Sequence, residues 1–492
     1  MAKPQKLTDP EHSKHLLRRL TFSATNKLFH HVENASVLAA TRSLIDLSGT
    51  ATTLPTPAFA EQPWTNPALR FKNMSAAVLA QKDQLARQRY KEEASQLEQE
   101  WLDQLVTSST PLRESMSLFF HTTFGGSYKT IGPGKAVYAH IELVRRYALS
   151  TIPKLLEAMA LSPAMLIQHG YDESRRELPP YYAAEKVLAQ WLVGPGNYSN
   201  SDVENLARSL TGWVLEAPPG ATVPDNLDSK GARRNRRTGL MPIFHSEYFD
   251  NGEKTLFGHT GNFNAPQAIK KIATLPQCAS WYADLLTDYF GIHDPNGAAS
   301  QSLIDAYLRS QGDIPTLIET LTSCKEFWSE SSRWNLIKSP VHLVVGACQA
   351  LGITSVQGLD LESWLQACGQ SLLDSPNRGA QSWTSSAWLK PSGRLTARYK
   401  LGDILLAQPV SWGMRANKTG DLGRPNFPAW VHRLPVGEET HQVVADLVHT
   451  LDPAPGLNVE NILDTVNQRP TAPDVSANVI RQVLASAEYQ LA

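Results

Sequence analysis

The chain has 492 residues, 42% of them hydrophobic and 19% charged. It is long enough for two or three ordinary domains or one large helical one, and too apolar to stay disordered. A formal net charge of −1 gives no global field toward nucleic acid or anionic membrane, so no nucleic-acid partner is expected and any polyanion contact must be local. No apolar run approaches membrane-span length. The opening MAKPQKLTDPEHSKHLLRRLTF has neither a signal-peptide core nor a twin arginine ahead of one. These features predict no membrane span and a protein that begins in the cytosol. Cys278, Cys324, Cys348 and Cys368 form no close pair, which favours buried free thiols over a metal knuckle or redox motif.

In chain order, Thr8-Asp9-Pro10-Glu11 reads as a capping box with Thr8 at the N-cap, opening a helix that carries Leu16, Leu17 and Leu20. Residues 48–70 lack periodicity and read as a crossing loop. A long, mostly polar helix is predicted over 73–106, lying along the surface of a bundle. Thr110-Pro111 starts another that ends near Gly125-Gly126. Residues 135–161 give one or two helices, and Ser162-Pro163 restarts the chain. Two amphipathic helices, 182–193 and 201–211, follow. The first carries Ala184, Val187, Leu188, Trp191 and Leu192 and stops at Gly194-Pro195. The second starts at Ser201-Asp202-Val203-Glu204, read as a capping box, and stops at Gly212, with Trp213 folding back onto the bundle.

Residues 217–243 read as a long polar loop. Helices are predicted at 265–292, 299–311, 314–329, 338–351, 358–369, 396–407, 438–451 and 474–490, and short strand pairs are expected near 245–260 and 371–390. The class is mainly α: a large multi-helix, bundle-like domain with long loops and at most a few short strands. A working division is residues 1–70, an N-terminal helix and crossing loop; 71–265, a helical core; 266–410, a second helical part of the same domain; and 411–492, a C-terminal extension with two helices.

Seven segments carry a resemblance: HLLRRLTF (15–22), MSLFFHTTF (116–124), SPAMLI (162–167), NYSNSDVENLARSLTGW (197–213), FDNGEKTLFG (249–258), IKSPVHLVVGACQALG (337–352) and GQSLLDSPN (369–377). In order and spacing they resemble the bacterial domain of unknown function 1800 family over about residues 12–407. The resemblance implies a largely helical protein, often exported, whose activity is unassigned. It also implies a genomic neighbour, the sulfatase-like domain of unknown function 1501 family. A protein partner of that kind is therefore expected, with export in complex with a signal-bearing partner as one route out of the cytosol.

The departures share a direction. Where the family carries an Asn/Glu-rich helix motif, this chain has Pro180, Tyr181, Tyr182, Ala183, Ala184, Glu185 and Lys186, then Ala189; a second histidine after His121 is replaced by Thr122 and Thr123; and a His-Asp pair becomes Phe249-Asp250. Groups suited to acid–base or divalent-metal chemistry give way to aromatic, aliphatic and hydroxyl ones. The candidate catalytic residues that remain are His121, Asp202, Arg208, Asp250 and Lys254.

Four of the five have a plainer reading. His121 can be a hydrogen-bonded core histidine, Asp202 a helix cap, Arg208 the i+4 partner of Glu204, and Lys254 a solvated turn lysine. Candidate binding groups are the basic cluster Arg233, Arg234, Arg236 and Arg237, beside Lys230, together with Tyr181, Tyr182 and Trp213. The basic cluster has no interleaved aromatics. No phosphate loop, nucleophile elbow, HExxH or calcium loop occurs, so no cofactor and no metal site is expected. The leading expectation is a non-catalytic helical binding or scaffold protein. The alternatives are an enzyme acting on a cell-surface glycan or a phosphate or sulfate ester, and a polyanion-binding module using the basic loop.

Overall fold

The computed structural model describes residues 4–49, 53–62, 64, 75–217, 239–375, 386–390, 392–406, 440–466 and 472–492. The basic cluster at 230–237 lies outside the described residues. Among the described residues the fold is mainly α, with three two-stranded ladders. The helices used below are α1 (Pro10–Leu20), α2 (Ala76–Thr107), α3 (Pro111–Phe124), α4 (Gly134–Tyr147), α5 (Pro163–His169), α6 (Tyr181–Val187), α7 (Asn200–Ser209), α8 (Ala265–Ile272), α9 (Pro276–Tyr289) and α10 (Pro340–Ala350). One connected hydrophobic cluster runs from Leu7 to Tyr489. Among the described residues, no helix is long and apolar enough to cross a membrane.

Two helix starts differ from the sequence reading by register. Asp9, not Thr8, caps α1, accepting the Glu11 N–H at 2.9 Å. The capping box of α7 is Ser199 with Asp202, two residues earlier than read. Asp202 N–H donates to Ser199 Oγ at 3.1 Å, and Ser199 N–H donates to Asp202 Oδ2 at 2.9 Å. An acid is as good as a Glu at the third position when its carboxylate can reach back, and here it does.

β1 (Gly126–Ser127) pairs with β6 (Asp374–Ser375), β2 (Trp213–Glu216) with β3 (Met241–Phe244), and β4 (Lys254–Leu256) with β5 (His259–Gly261), all antiparallel. Strands occur in both regions where they were expected, β4 with β5 near 245–260 and β6 within 371–390, whereas β1, β2 and β3 lie outside them. Trp213 therefore starts a strand, its ring 5.2 Å from that of Phe244, and from there it packs back against the hydrophobic cluster as expected. Gly212, at φ +94°, makes this turn possible: a Cβ there would come within 2.9 Å of both Phe244 and Phe249.

After α6 the helix widens into a π turn, Leu188–Leu192, before stopping. The wider turn leaves carbonyls without helical partners, and α9 supplies donors: Tyr282 Oη–H to Trp191 O at 2.9 Å and Trp281 Nε1–H to Gln190 O at 3.3 Å. At the other end of the chain, Asp452 accepts from Lys14 Nζ (2.9 Å) and Arg18 Nη1 (2.6 Å), tying α1 to the C-terminal helices.

Candidate functional site

Four of the five candidate catalytic residues meet at one place. Arg208 on α7 is bidentate to Asp250, Nε to Oδ2 at 2.8 Å and Nη2 to Oδ1 at 3.0 Å, and its Nη1 donates to Asn205 Oδ1 and Glu253 O. The partner is thus not Glu204 one turn away but a carboxylate brought in by the loop that enters β4. The flat guanidinium fork matches two carboxylate oxygens better than a flexible i+4 neighbour can. The guanidinium pairing holds the Asp250 carboxyl below its usual range.

Lys254 is not a solvated turn lysine. It is 1% exposed, and its ammonium donates three hydrogen bonds, to Asp250 O (2.5 Å), Gly252 O (2.9 Å) and Asn262 Oδ1 (3.0 Å). Burial, the dominant cause, draws its pKa down to about 8, so it remains charged at neutral pH with every N–H occupied. Asp202 uses its second oxygen, Oδ1, to accept the Phe257 N–H at 2.8 Å. Phe257 has φ +49° and Gly258 φ +80°, the primed turn geometry that a two-residue hairpin needs. A phenylalanine is costly there, and the Asp202 hydrogen bond holds it in place. Asp202, Arg208, Asp250 and Lys254 therefore form a clamp that fastens the β4–β5 hairpin to α7.

His121 does not join them. It lies in the interior on α3, where its Nε2–H donates to Leu372 O at 2.7 Å, and burial lowers its pKa to about 4. The same Leu372 peptide donates its N–H to Glu98 on α2 at 3.2 Å. Around His121 lie Trp101 (ring centroids 4.9 Å apart) and His140 of α4 (5.5 Å). Among the described residues, no group of three or more His, Cys, Asp and Glu is placed to hold a metal ion.

Tyr181 and Tyr182 are 49% and 68% exposed, next to Leu178 at 59%, so this stretch presents an apolar strip to solvent. It takes the place of the polar motif that the family resemblance implied.

Two cavities adjoin segments that carry the resemblance. One, of about 30 Å³, is lined by Arg18, Tyr289, Lys338 and His342 among others. It has room for one or two waters and no more. The other is an open cleft of about 400 Å³ beside the clamp, within the size range of small-molecule sites. Its walls are Phe244, Ser246, Phe249 and Asn251, with Asn262, Asn264, Gln267 and Arg176. Sequence reasoning passed over these amides. The Asn264-x-x-Gln267 pair, with Pro266 between, is legible as the cap of α8, but nothing in its spacing announces a cleft.

The clamp makes a direct prediction. Asp250→Ala removes both acceptors of a guanidinium that is only 24% exposed and is expected to cost about 2–3 kcal/mol. Asp250→Asn, which keeps one acceptor, is expected to cost about half as much. Urea unfolding checks this through the midpoint at unchanged slope; equal stability of the Ala variant and the parent would mean that the pair does not fasten the hairpin.

No curated protein and no solved structure matches the chain. A family model does match, over residues 15–491, nearly the whole chain. The residues of the clamp and the cleft fall inside that match, as do those of the small cavity apart from Ala492, and the chain belongs to the family described as Protein of unknown function (DUF1800).

Proposed function

We propose that this protein is a non-catalytic helical protein that works by binding. One observation carries the reading: every candidate catalytic side chain is engaged in holding the fold. Arg208 is bound to Asp250, Lys254 has all three donors occupied, Asp202 caps a helix and pins a turn, and His121 holds a backbone carbonyl in the interior. A general acid or base must reach a substrate proton, whereas Arg208, Asp250 and Lys254 engage one another and Asp202 and His121 are each taken up by backbone groups. The open cleft is walled instead by amides, two phenylalanines and an arginine, which recognise ligands without reacting with them.

The expected partner is a protein, engaged through the exposed Leu178, Tyr181 and Tyr182 strip; tyrosines of this kind anchor interfaces. The sulfatase-like neighbour that the resemblance implies is the first candidate, and export together with it belongs to the same reading. The test is purification from cells under native conditions. A stable heteromeric complex is expected, weakened at least tenfold in a Tyr181→Ser/Tyr182→Ser variant. A lone chain with no partner overturns the proposal.

A further inference from the structure

The hydrogen bonds around the cleft fix which way each amide points. Lys254 Nζ can only donate, so Asn262 must present its Oδ1 to it (3.0 Å). Asn262 Nδ2 is then a donor, and its acceptor is Asn251 Oδ1. Asn251 is left with Nδ2. At the start of α8 a reciprocal box does the same. Gln267 N–H donates to Asn264 Oδ1 at 3.2 Å, and Asn264 N–H donates to Gln267 Oε1 at 3.1 Å. Both side-chain oxygens already accept, and both NH2 groups remain. Arg176 gives its Nε to Glu177 at 2.8 Å and keeps its terminal nitrogens.

Four lining residues of the 400 Å³ cleft thus offer N–H donors, while each amide oxygen already accepts within the protein. Neutral sugars need acceptors as well as donors, because each hydroxyl both gives and takes. The amide oxygens keep a second lone pair each and Ser246 adds a hydroxyl, but free N–H donors predominate, and such a wall suits a group that only accepts. Arg176, its charge balanced by Glu177, adds guanidinium donors, the buried Lys254 ammonium adds positive charge, and Phe244 and Phe249 add ring faces. Two carboxylates adjoin this wall and each is paired, Asp250 with Arg208 and Glu177 with Arg176.

We propose that this cleft binds the oxyanion of a ring-bearing ligand, a carboxylate or sulfate ester attached to a sugar or aryl ring, through Asn251, Asn264, Gln267 and Arg176. The proposal rests on the reading of this protein as one that binds and does not react. It is distinct from the protein-partner strip at Leu178, Tyr181 and Tyr182.

Three probes share one aryl ring: 4-nitrophenyl β-glucuronide, 4-nitrophenyl sulfate and 4-nitrophenyl β-glucoside, titrated by calorimetry into the full chain. The anionic probes are expected to bind at least about tenfold more tightly than the glucoside, and whichever anion binds more tightly names the carboxylate or sulfate source. Gln267→Glu keeps the capping oxygen, and a Glu at that position is a preferred helix-box residue, so this variant is expected to fold as well as the parent. It replaces a donor with an anionic acceptor and should weaken both anionic probes at least about tenfold while leaving the glucoside unchanged. Asn251→Asp, which also keeps its accepting oxygen, should do the same. No binding of either anion, equal binding of the glucoside, or anion binding untouched by both variants overturns the cleft assignment. Release of nitrophenolate in the same tubes overturns the non-catalytic reading alone, with the cleft assignment then judged by the titrations.

Discussion

Glu114→Ala is expected to destabilise the protein by about 3–5 kcal/mol, a large part of the roughly 5–15 kcal/mol that holds a typical domain folded. Glu114 on α3 is fully buried and Arg145 on α4 is 1% exposed. They form a bidentate pair, Nη2 to Oε1 at 2.6 Å and Nε to Oε2 at 3.1 Å, and Arg145 Nη1 also reaches Glu142 at 2.7 Å. A second buried guanidinium, Arg113, stands beside them and is held by the carbonyls of Ser48 (2.8 Å), Gly49 (2.9 Å) and Arg145 (2.8 Å), not by a carboxylate. Removing Glu114 leaves two interior cations against one partly buried acid. The cost comes from the stranded charge and not from the pair as such, because desolvation offsets most of what a buried ion pair gains.

A second substitution separates the two explanations. Glu114→Leu combined with Arg145→Met removes the stranded guanidinium, leaves the partly exposed Glu142 with the Leu54 N–H, and is expected to recover more than half of the loss. Urea midpoints of the single and double variants measure it. A single variant that loses less than about 1 kcal/mol would show that the interior there is wet enough to solvate Arg145.

What could be read from the sequence was what depends on near neighbours. The apolar stripe Ala184, Val187, Leu188, Trp191 and Leu192 is fully buried, as a 3.6-residue period requires. Many helix ends were legible to within a few residues, but 265–292 and 396–407, each read as one helix, are two, and the α-helix read over 314–329 ends at Ser323; the register at Ser199 and Ser201 shows one reason. Several serines in a row can each cap, and only the reach of the Asp202 carboxylate decides between them. Lys254 and Arg208 were misread for a different reason. Their partners, Asn262 and Asp250, belong to other segments, and local rules assign a turn lysine to solvent and an i+4 pair to a helix face. The short ladders at 213–216 and 241–244 escaped because they flank a long polar segment and are too brief to show a period of two. The cleft was illegible for a deeper reason. Its donor-rich character depends in part on a relay from Lys254 through Asn262 to Asn251, and a relay of that kind exists only once the chain has folded.

The interior around His121 makes acid the sharpest probe of the whole molecule. His15, His121, His140 and His169 are all buried, and burial is the main cause that keeps each below its ordinary 6.5, to about 4 for His121 and His169 and well below 6.5 for His15 and His140. His140 faces the rings of His121, and neither of its ring nitrogens has a partner. His169 packs edge-on against Trp191 at 4.9 Å. A histidine with a lowered folded pKa contributes stability above 6.5 and loses it as the pH falls toward the folded value. The gap between 6.5 and about 4 is worth about 3 kcal/mol each for His121 and His169, and His15 and His140 add to the loss in the same direction.

Glu98 acts the other way. Burial lifts it to about 7, so acidification relieves a cost of about 3 kcal/mol as the pH falls to 4.5. The four histidines outweigh that single acid. Stability is therefore expected to fall steeply between pH 6.5 and 4, with cooperative acid unfolding inside that window, followed by far-UV circular dichroism. His140→Leu removes a titrating group that has no hydrogen bond to lose. It is expected to move the acid midpoint down by a few tenths of a pH unit without lowering stability at pH 7. A midpoint below pH 3, or one that His140→Leu leaves in place, would mean that this interior admits the protons and water that its packing excludes.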